Sequence, residues 1–296
     1  MYEDPRTRRP DRLAGALAFL RRRVTGDYEV DEFGFDRDLT EHVLLPLLRP
    51  WYRTWFQVRT FGLDNVPTTG PALVVANHSG TVAMDAAMTW VALRDDHPAH
   101  RYLRMLGADL VFRTPLVGEF ARKAGHTLAC VADTERLLAA GELVGVWPEG
   151  FKGTGKPFSE RYRLRRFGRG GFVSVALRAG VPIVPCSIVG AEEAYPMLAN
   201  AGVLARLFDL PYFPITPTFP WLGPAGAIPL PSRWLIEFGE PIDTSGRSEQ
   251  AADPALVSAL TEQVRETIQL TLHRLVAQRG RAFGWPGRPG SPDRPG

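Results

Sequence analysis

The first chemical suggestion in this sequence is a histidine followed, a few residues on, by an aspartate. The stretch "VVANHSGTVAMD" runs from Val74 to Asp85. An apolar run, Leu73–Ala76, delivers His78 to a loop. Gly80 permits a tight backbone path, and a helix is expected near Met84. Asp85 then lies one loop from His78 and could hydrogen-bond its imidazole. A histidine held in this way is a competent general base near neutral pH, because the carboxylate fixes the tautomer and stabilises the imidazolium. A single histidine after a strand is also a common structural residue, so the pair alone leaves both readings open.

A second stretch, "VWPEGFKGTGKP", spans Val146 to Pro157 and carries a G-x-x-x-x-G-K spacing from Gly150. A phosphate-binding loop of that type needs a hydroxyl at the next position and a helix with free N–H groups. Pro157 supplies neither, so a nucleoside triphosphate cradle is excluded. The preceding "ELVGVWPEG" still reads as a buried strand entering a loop. Glu149, Gly150 and Lys152 therefore fall at the carboxyl end of a strand, where α/β folds place ligands. Seven basic residues follow before Gly171: Lys152, Lys156, Arg161, Arg163, Arg165, Arg166 and Arg169, offset by Glu160. The run ends in "FGRGGF", where Gly168, Gly170 and Gly171 let backbone N–H groups approach an anion. Two readings fit: a phosphate contact through Lys152 and one or more of Arg163, Arg166 and Arg169, or a solvated face touching anionic lipid.

These residues need elements to hold them. Apolar runs recur at "FQVRTFGLDNVP", "PALVVANH", "YLRMLGA", "HTLACVA", "LVGVWPE", "VPIVPCSIVG" and "WLIEFGEPI". Helical patterns separate several of them, at 84–94, 115–124, 134–140 and 172–179. The alternation predicts an α/β fold: a largely parallel central sheet flanked by helices, with an N-terminal helical arm. The arm covers 1–57, with a short amphipathic helix over 12–24, an acidic linker, and a helical stretch over 41–57. A core domain follows over 58–278. Its last helix opens with Asp253 as N-cap and Pro254, then repeats Leu256, Leu260, Val264, Ile268 and Leu272 along one stripe. Residues 279–296, rich in Gly, Pro and Arg, are expected to be a disordered tail.

With 296 residues, 45% hydrophobic and 23% charged, the chain can bury the core of one large domain. A net charge of +3 is too weak to indicate a nucleic-acid partner. Cys130 and Cys186 sit in apolar runs and read as free thiols of a reducing compartment. No Cys/His grouping has metal-ligand spacing. His42, His97, His100, His126 and His273 lack motif partners and are expected in surface or packing roles. No secretory leader pattern and no spanning helix are expected. Two segments mix aromatic, apolar and proline or cationic residues as a membrane interface demands: "LLPLLRPWYRTWFQVRTFGL" and "LPYFPITPTFPWLGPAGAIPLP".

Taken in order, three blocks resemble the glycerolipid acyltransferase superfamily: Asn77-His78…Asp85, Pro148-Glu149-Gly150-Phe151-Lys152, and Val181-Pro182-Ile183-Val184-Pro185. The resemblance covers roughly residues 55–245. It departs at three points. Six residues separate His78 from Asp85 where the family usually has four, a spacing similar to the monoacylglycerol/diacylglycerol branch. The block "AGHTLACVAD" has no arginine, and Lys152 stands where arginine is common. The resemblance implies His78 as general base, Asp85 as its orienting partner, and Asn77, Glu149, Gly150, Lys152, Arg163, Arg166 and Arg169 around the substrate. Glu149 would bind acceptor hydroxyls, or else be a strand-end carboxylate paired with a local arginine. Backbone N–H groups around Gly150 and Val181–Pro185 would serve the oxyanion. No metal or bound cofactor is implied; acyl-CoA, or acyl carrier protein, is a co-substrate. The expected reaction acylates a hydroxyl of glycerol phosphate or a lysophospholipid. The alternatives are a neutral mono- or diacylglycerol acceptor, or a non-catalytic lipid-binding protein of the same fold. The expected location is the cytoplasmic side of a membrane, peripheral or monotopic, with a glycerolipid and the membrane surface as partners and no nucleic acid.

Overall fold

Each of the seven apolar runs named above contributes a strand. The computed structural model describes residues 9–283. Its strands are β1 (Arg59–Phe61), β2 (Ala72–Ala76), β3 (Leu103–Gly107), β4 (Thr127–Leu128), β5 (Leu143–Val146), β6 (Ile183–Val189), β7 (Ala199–Asn200), β8 (Pro214–Ile215) and β9 (Leu235–Phe238). Seven of them form one sheet in the order β1-β9-β6-β2-β5-β3-β4. From β6 to β4 all neighbours are parallel; β9 runs antiparallel to β6, and β1 parallel to β9. The fold is the mixed, mostly parallel α/β sheet with helices on both faces that the alternation predicts. Strand β2 is buried at every position, as a central parallel strand covered on both faces must be.

One face packs under the helix Met84–Asp95, with Trp90, Phe56 and Trp234 in its core. The other packs under Gly171–Ala179 and Pro254–Arg279. The long helix starts as its sequence dictates: Asp253 accepts from the Ala255 N–H at 2.9 Å, and Val264, Ile268, Leu272 and Leu275 are completely buried.

The helical stretch of the arm, Arg37–Leu39 through Trp51–Trp55, is packed rather than free. Leu45, Tyr52 and Phe56 belong to the core, and Trp51 and Trp55 lie against it. The Trp55 indole donates to the Pro229 carbonyl at 3.0 Å, and Arg53 pairs with Asp95. This corrects the reading of that stretch as an interfacial anchor: its aromatic side is taken up by the protein's own core. Exposed apolar bulk gathers instead around β7 and β8, at Val203, Leu207, Phe208, Trp221 and Leu222. Among the described residues no helix is long and apolar enough to cross a membrane. The C-terminal helix runs to Arg279, which is buried. Residues just beyond it return to the sheet, where the Arg233 N–H donates to the Ala282 carbonyl and Ser232 bridges Phe283. The expected disordered tail thus begins with held chain; its remainder, 284–296, lies outside the described residues.

Candidate active site

His78 stands on the loop after β2, at the carboxyl ends of the parallel strands, and it is held from two sides. Its Nδ1 lies 2.8 Å from Asp85 Oδ2. Asp85 is fully buried in the first turn of Met84–Asp95. That same Oδ2 accepts from the Ser79 N–H at 2.9 Å, and Oδ1 accepts from the Ala86 N–H at 2.8 Å. With Nδ1 turned to the carboxylate, Nε2 is the ring atom left to take a proton. The six-residue separation is absorbed at Gly80, whose φ is +78°; a Cβ there would lie 2.8 Å from the Ala191 carbonyl oxygen. Only glycine makes that turn without displacing backbone.

Behind His78 the loop is pinned by Glu149. Its Oε1 accepts from the His78 N–H at 2.9 Å and its Oε2 from the Arg165 N–H at 2.6 Å. Burial pushes the Glu149 carboxyl up; Lys156, 3.8 Å away, and the two N–H donors pull it back. Gly153 lets the short helix Phe151–Thr154 press on the loop, since a Cβ there would lie 2.5 Å from the His78 carbonyl oxygen. In front of His78 opens a cavity of about 400 Å³. Met105, Val111, Phe112, Trp147, Phe151 and Tyr212 form much of its wall, and no lysine, arginine or carboxylate lines it. The Trp147 ring centre lies 6.1 Å from that of His78, and its indole N–H is buried without an acceptor. The Thr154 hydroxyl in the same wall is also unpaired. The arrangement can remove a proton from a hydroxyl brought into an apolar chamber.

The acyltransferase family matches residues 57–189, a span that holds all three sequence blocks. An uncharacterized protein of Mycobacterium tuberculosis is 59% identical over 272 residues, covering 92% of this chain and 76% of the relative. The chain belongs to the acyltransferase family. A Homo sapiens protein described as a DGAT1/2-independent enzyme synthesizing storage lipids is 25% identical over 203 residues, 67% of this chain and 58% of that protein. The crystal structure of the 1-acyl-sn-glycerophosphate acyltransferase PlsC from Thermotoga maritima aligns with a TM-score of 0.52 over 94% of this chain and 100% of that one. At 17% identity this likeness is one of fold.

In this acyltransferase the remaining sequence candidates divide sharply. Gly150 lines the cavity, but its N–H is taken by the Trp147 carbonyl at 3.1 Å. Asn77 is not available to substrate: it is buried, gives its amide to the Ile188 carbonyl and accepts the Ile188 N–H at 2.7 Å. It clips β2 to β6. Glu149, with both oxygens on backbone donors, likewise positions the loop and lines no part of the cavity. Lys152 is exposed one residue from the cavity wall. Arg163, Arg166 and Arg169 are exposed and line no part of the cavity. The Val181–Pro185 block starts β6, level with the beginning of β2. At about 3.3 Å per residue it lies roughly 10 Å or more from His78, at the wrong end to serve an oxyanion.

Sequence reasoning missed several residues of the acyltransferase site. Trp147 had a signal, since it directly precedes the Pro148-Glu149-Gly150 block. Tyr212 had none; its hydroxyl donates to the Thr81 carbonyl at 2.7 Å from a distant segment. His126, expected to be a bystander, lines the cavity. Burial, with the Arg104 charge second, pushes its imidazole down to about 3, so it stays neutral. Lys156 is turned inward, 3.1 Å from Glu192 and donating to the Arg163 carbonyl.

Proposed function

We propose that this acyltransferase moves a fatty acyl group from a thioester, acyl-CoA or acyl carrier protein, to a hydroxyl of a glycerolipid. His78 Nε2 takes the hydroxyl proton as the oxygen attacks the thioester carbonyl. Asp85 stabilises the imidazolium that forms. The carbon–sulfur bond then breaks, and the leaving thiolate recovers the proton from His78. The products are an ester and a free thiol, with no acyl-enzyme required. A turn of the Trp147 side chain, whose indole N–H is buried and unpaired, would offer that N–H to the carbonyl oxygen as it gains charge. One observation carries the reading: the His78–Asp85 pair faces a chamber that is apolar enough for a lipid.

The same chamber favours a neutral acceptor, a mono- or diacylglycerol, because no cation lines it. A glycerol phosphate or lysophospholipid acceptor is the second reading, supported by the exposed Lys152 beside the wall. The bulk exposed around Trp221, Leu222 and Phe208 supports seating on a membrane surface. Thiol release from acyl-CoA tests the reaction and its acceptor, measured with monoacylglycerol, lysophosphatidate and glycerol 3-phosphate in turn. Release with monoacylglycerol supports the neutral reading, and release only with the phosphorylated acceptors supports the second. Lipid binding without release from any donor would make the protein a non-catalytic lipid binder.

A further inference from the structure

A second cavity, of about 600 Å³, lies at the β1 edge of the sheet and plays no part in the chemistry above. Four arginines line it, Arg53, Arg59, Arg233 and Arg279, together with Gln57 and Gln278; no carboxylate does. They come from four separate places: the end of the arm, β1, the start of β9, and the last turn of Pro254–Arg279. Two of the charges are already answered. Arg53 pairs with Asp95 at 2.9 Å and Arg279 with Glu193 at 2.7 Å. Among the described residues, Arg59 and Arg233 have no carboxylate partner; Arg59 has only the Phe61 ring, 5.6 Å from its guanidinium carbon.

The cavity faces the same end of the sheet as His78. Strands β1 and β9 run opposite to β6, so their first residues lie level with its last, Val189 against Leu235. Two to three strand spacings, roughly 10–15 Å, separate it from the His78 loop.

We infer that this arginine-lined cavity binds a phosphate group carried on a larger molecule. Guanidinium forks match phosphate oxygens in pairs. The two unanswered charges suit a phosphomonoester of about −1.5 to −2. The carboxamides of Gln57 and Gln278 add neutral donors, and the space exceeds what one phosphate fills. The phosphate can come from a soluble nucleotide or from an anionic lipid headgroup. The inference does not depend on the acyl-transfer reading, because binding is measured without turnover.

The test uses the full chain and three probes: pyrophosphate, adenosine 3′,5′-bisphosphate, and phosphatidylcholine vesicles containing phosphatidate. Binding is compared between the wild type, an Arg59→Gln/Arg233→Gln variant, and an Arg163→Gln/Arg166→Gln control of equal charge loss. Thermal melting checks folding, and Arg59→Gln alone, at an exposed position, serves if the double variant melts early. At least a tenfold weaker binding of one probe by the first variant, with the control near wild type, is expected. Binding of either soluble probe identifies a soluble source; binding of vesicles alone identifies a headgroup. Failure of all three probes to bind the wild type, or equal losses in both double variants, overturns the inference.

Discussion

The His78 loop and the basic stretch from Lys152 to Arg169 meet at Glu149 yet are built on opposite terms. In the loop each polar group is committed: Asp85 to the ring and two N–H groups, Glu149 to two more. In the stretch, Lys152, Arg161, Arg163, Arg166 and Arg169 face solvent, and Lys156 alone among its seven cations is buried. The difference comes from what waits inside. Glu149 and Glu192 lie 3.8 Å and 3.1 Å from the Lys156 ammonium, and a buried ammonium without such partners would not persist. A run of cations in a sequence therefore mixes structural and solvated charges, and buried carboxylates sort them.

The comparison can be broken most forcefully at the loop. His78→Ala should lower acyl transfer by about 10²–10⁴ with the fold intact, and Asp85→Asn should fall in the same range through the wrong tautomer. Near-wild-type turnover of the alanine variant, with an unchanged melt, would remove His78 from the chemistry. Next comes the buried cation. Lys156→Met should cost about 3–5 kcal/mol in denaturant unfolding, because it strands buried carboxylates. The sign with pH is definite: burial already raises Glu149 and Glu192, and losing Lys156 raises them further. A carboxylate with a raised folded pKa favours the folded state at low pH and loses that favour as pH rises. The Met variant's deficit should thus be larger at pH 8 than at pH 5, and a pH-independent deficit would contradict the pairing.

A smaller effect is expected at the cavity wall. Trp147→Phe keeps a ring and removes the N–H, and should cost about 1.5–3 kcal/mol in kcat/KM, mainly through kcat. A change confined to KM would make the indole a packing residue. The smallest effect belongs to the solvated cations: Arg163→Ala should change unfolding free energy by less than about 0.5 kcal/mol. A larger loss would mean that the stretch is more deeply tied into the fold than its exposure indicates.

Much of this architecture was legible in the sequence. Strands and helices alternate where apolar runs and periodic stretches do, and Asp253-Pro254 starts its helix where the capping chemistry puts it. The His78–Asp85 pair was also readable, because a buried strand, a glycine turn and a helix start leave the two residues little freedom. Illegible features depend on contacts between distant segments. Tyr212 reaches Thr81 from a proline-rich loop with no motif. Asn77 looks like a binding residue until Ile188 is seen to use both ends of its amide. The Val181–Pro185 block comes in the expected order, but order along a chain does not say which end of a strand a motif occupies. The arm's tryptophans read as interfacial because aromatic residues next to arginines suit either a bilayer or a core, and here Trp51 meets Phe56, which in turn packs on Trp234.

The buried charges have a consequence for the timing of synthesis. Glu149, Lys156 and Glu192 run into Tyr162, which takes its N–H to Glu192 and its hydroxyl to Glu193, and Arg279 closes the group against Glu193 and Tyr162. The carboxylate that pins the His78 loop therefore belongs to a polar interior finished by the last turn of Pro254–Arg279. A ribosome adding roughly 5–20 residues per second makes His78 some 10–40 s before Arg279. Once Tyr162 and Glu193 have followed, the nascent chain has its base and its aspartate, but those two residues lack their cation until Arg279 is made. The polar network behind the His78 loop is therefore completed only once Arg279 has been made.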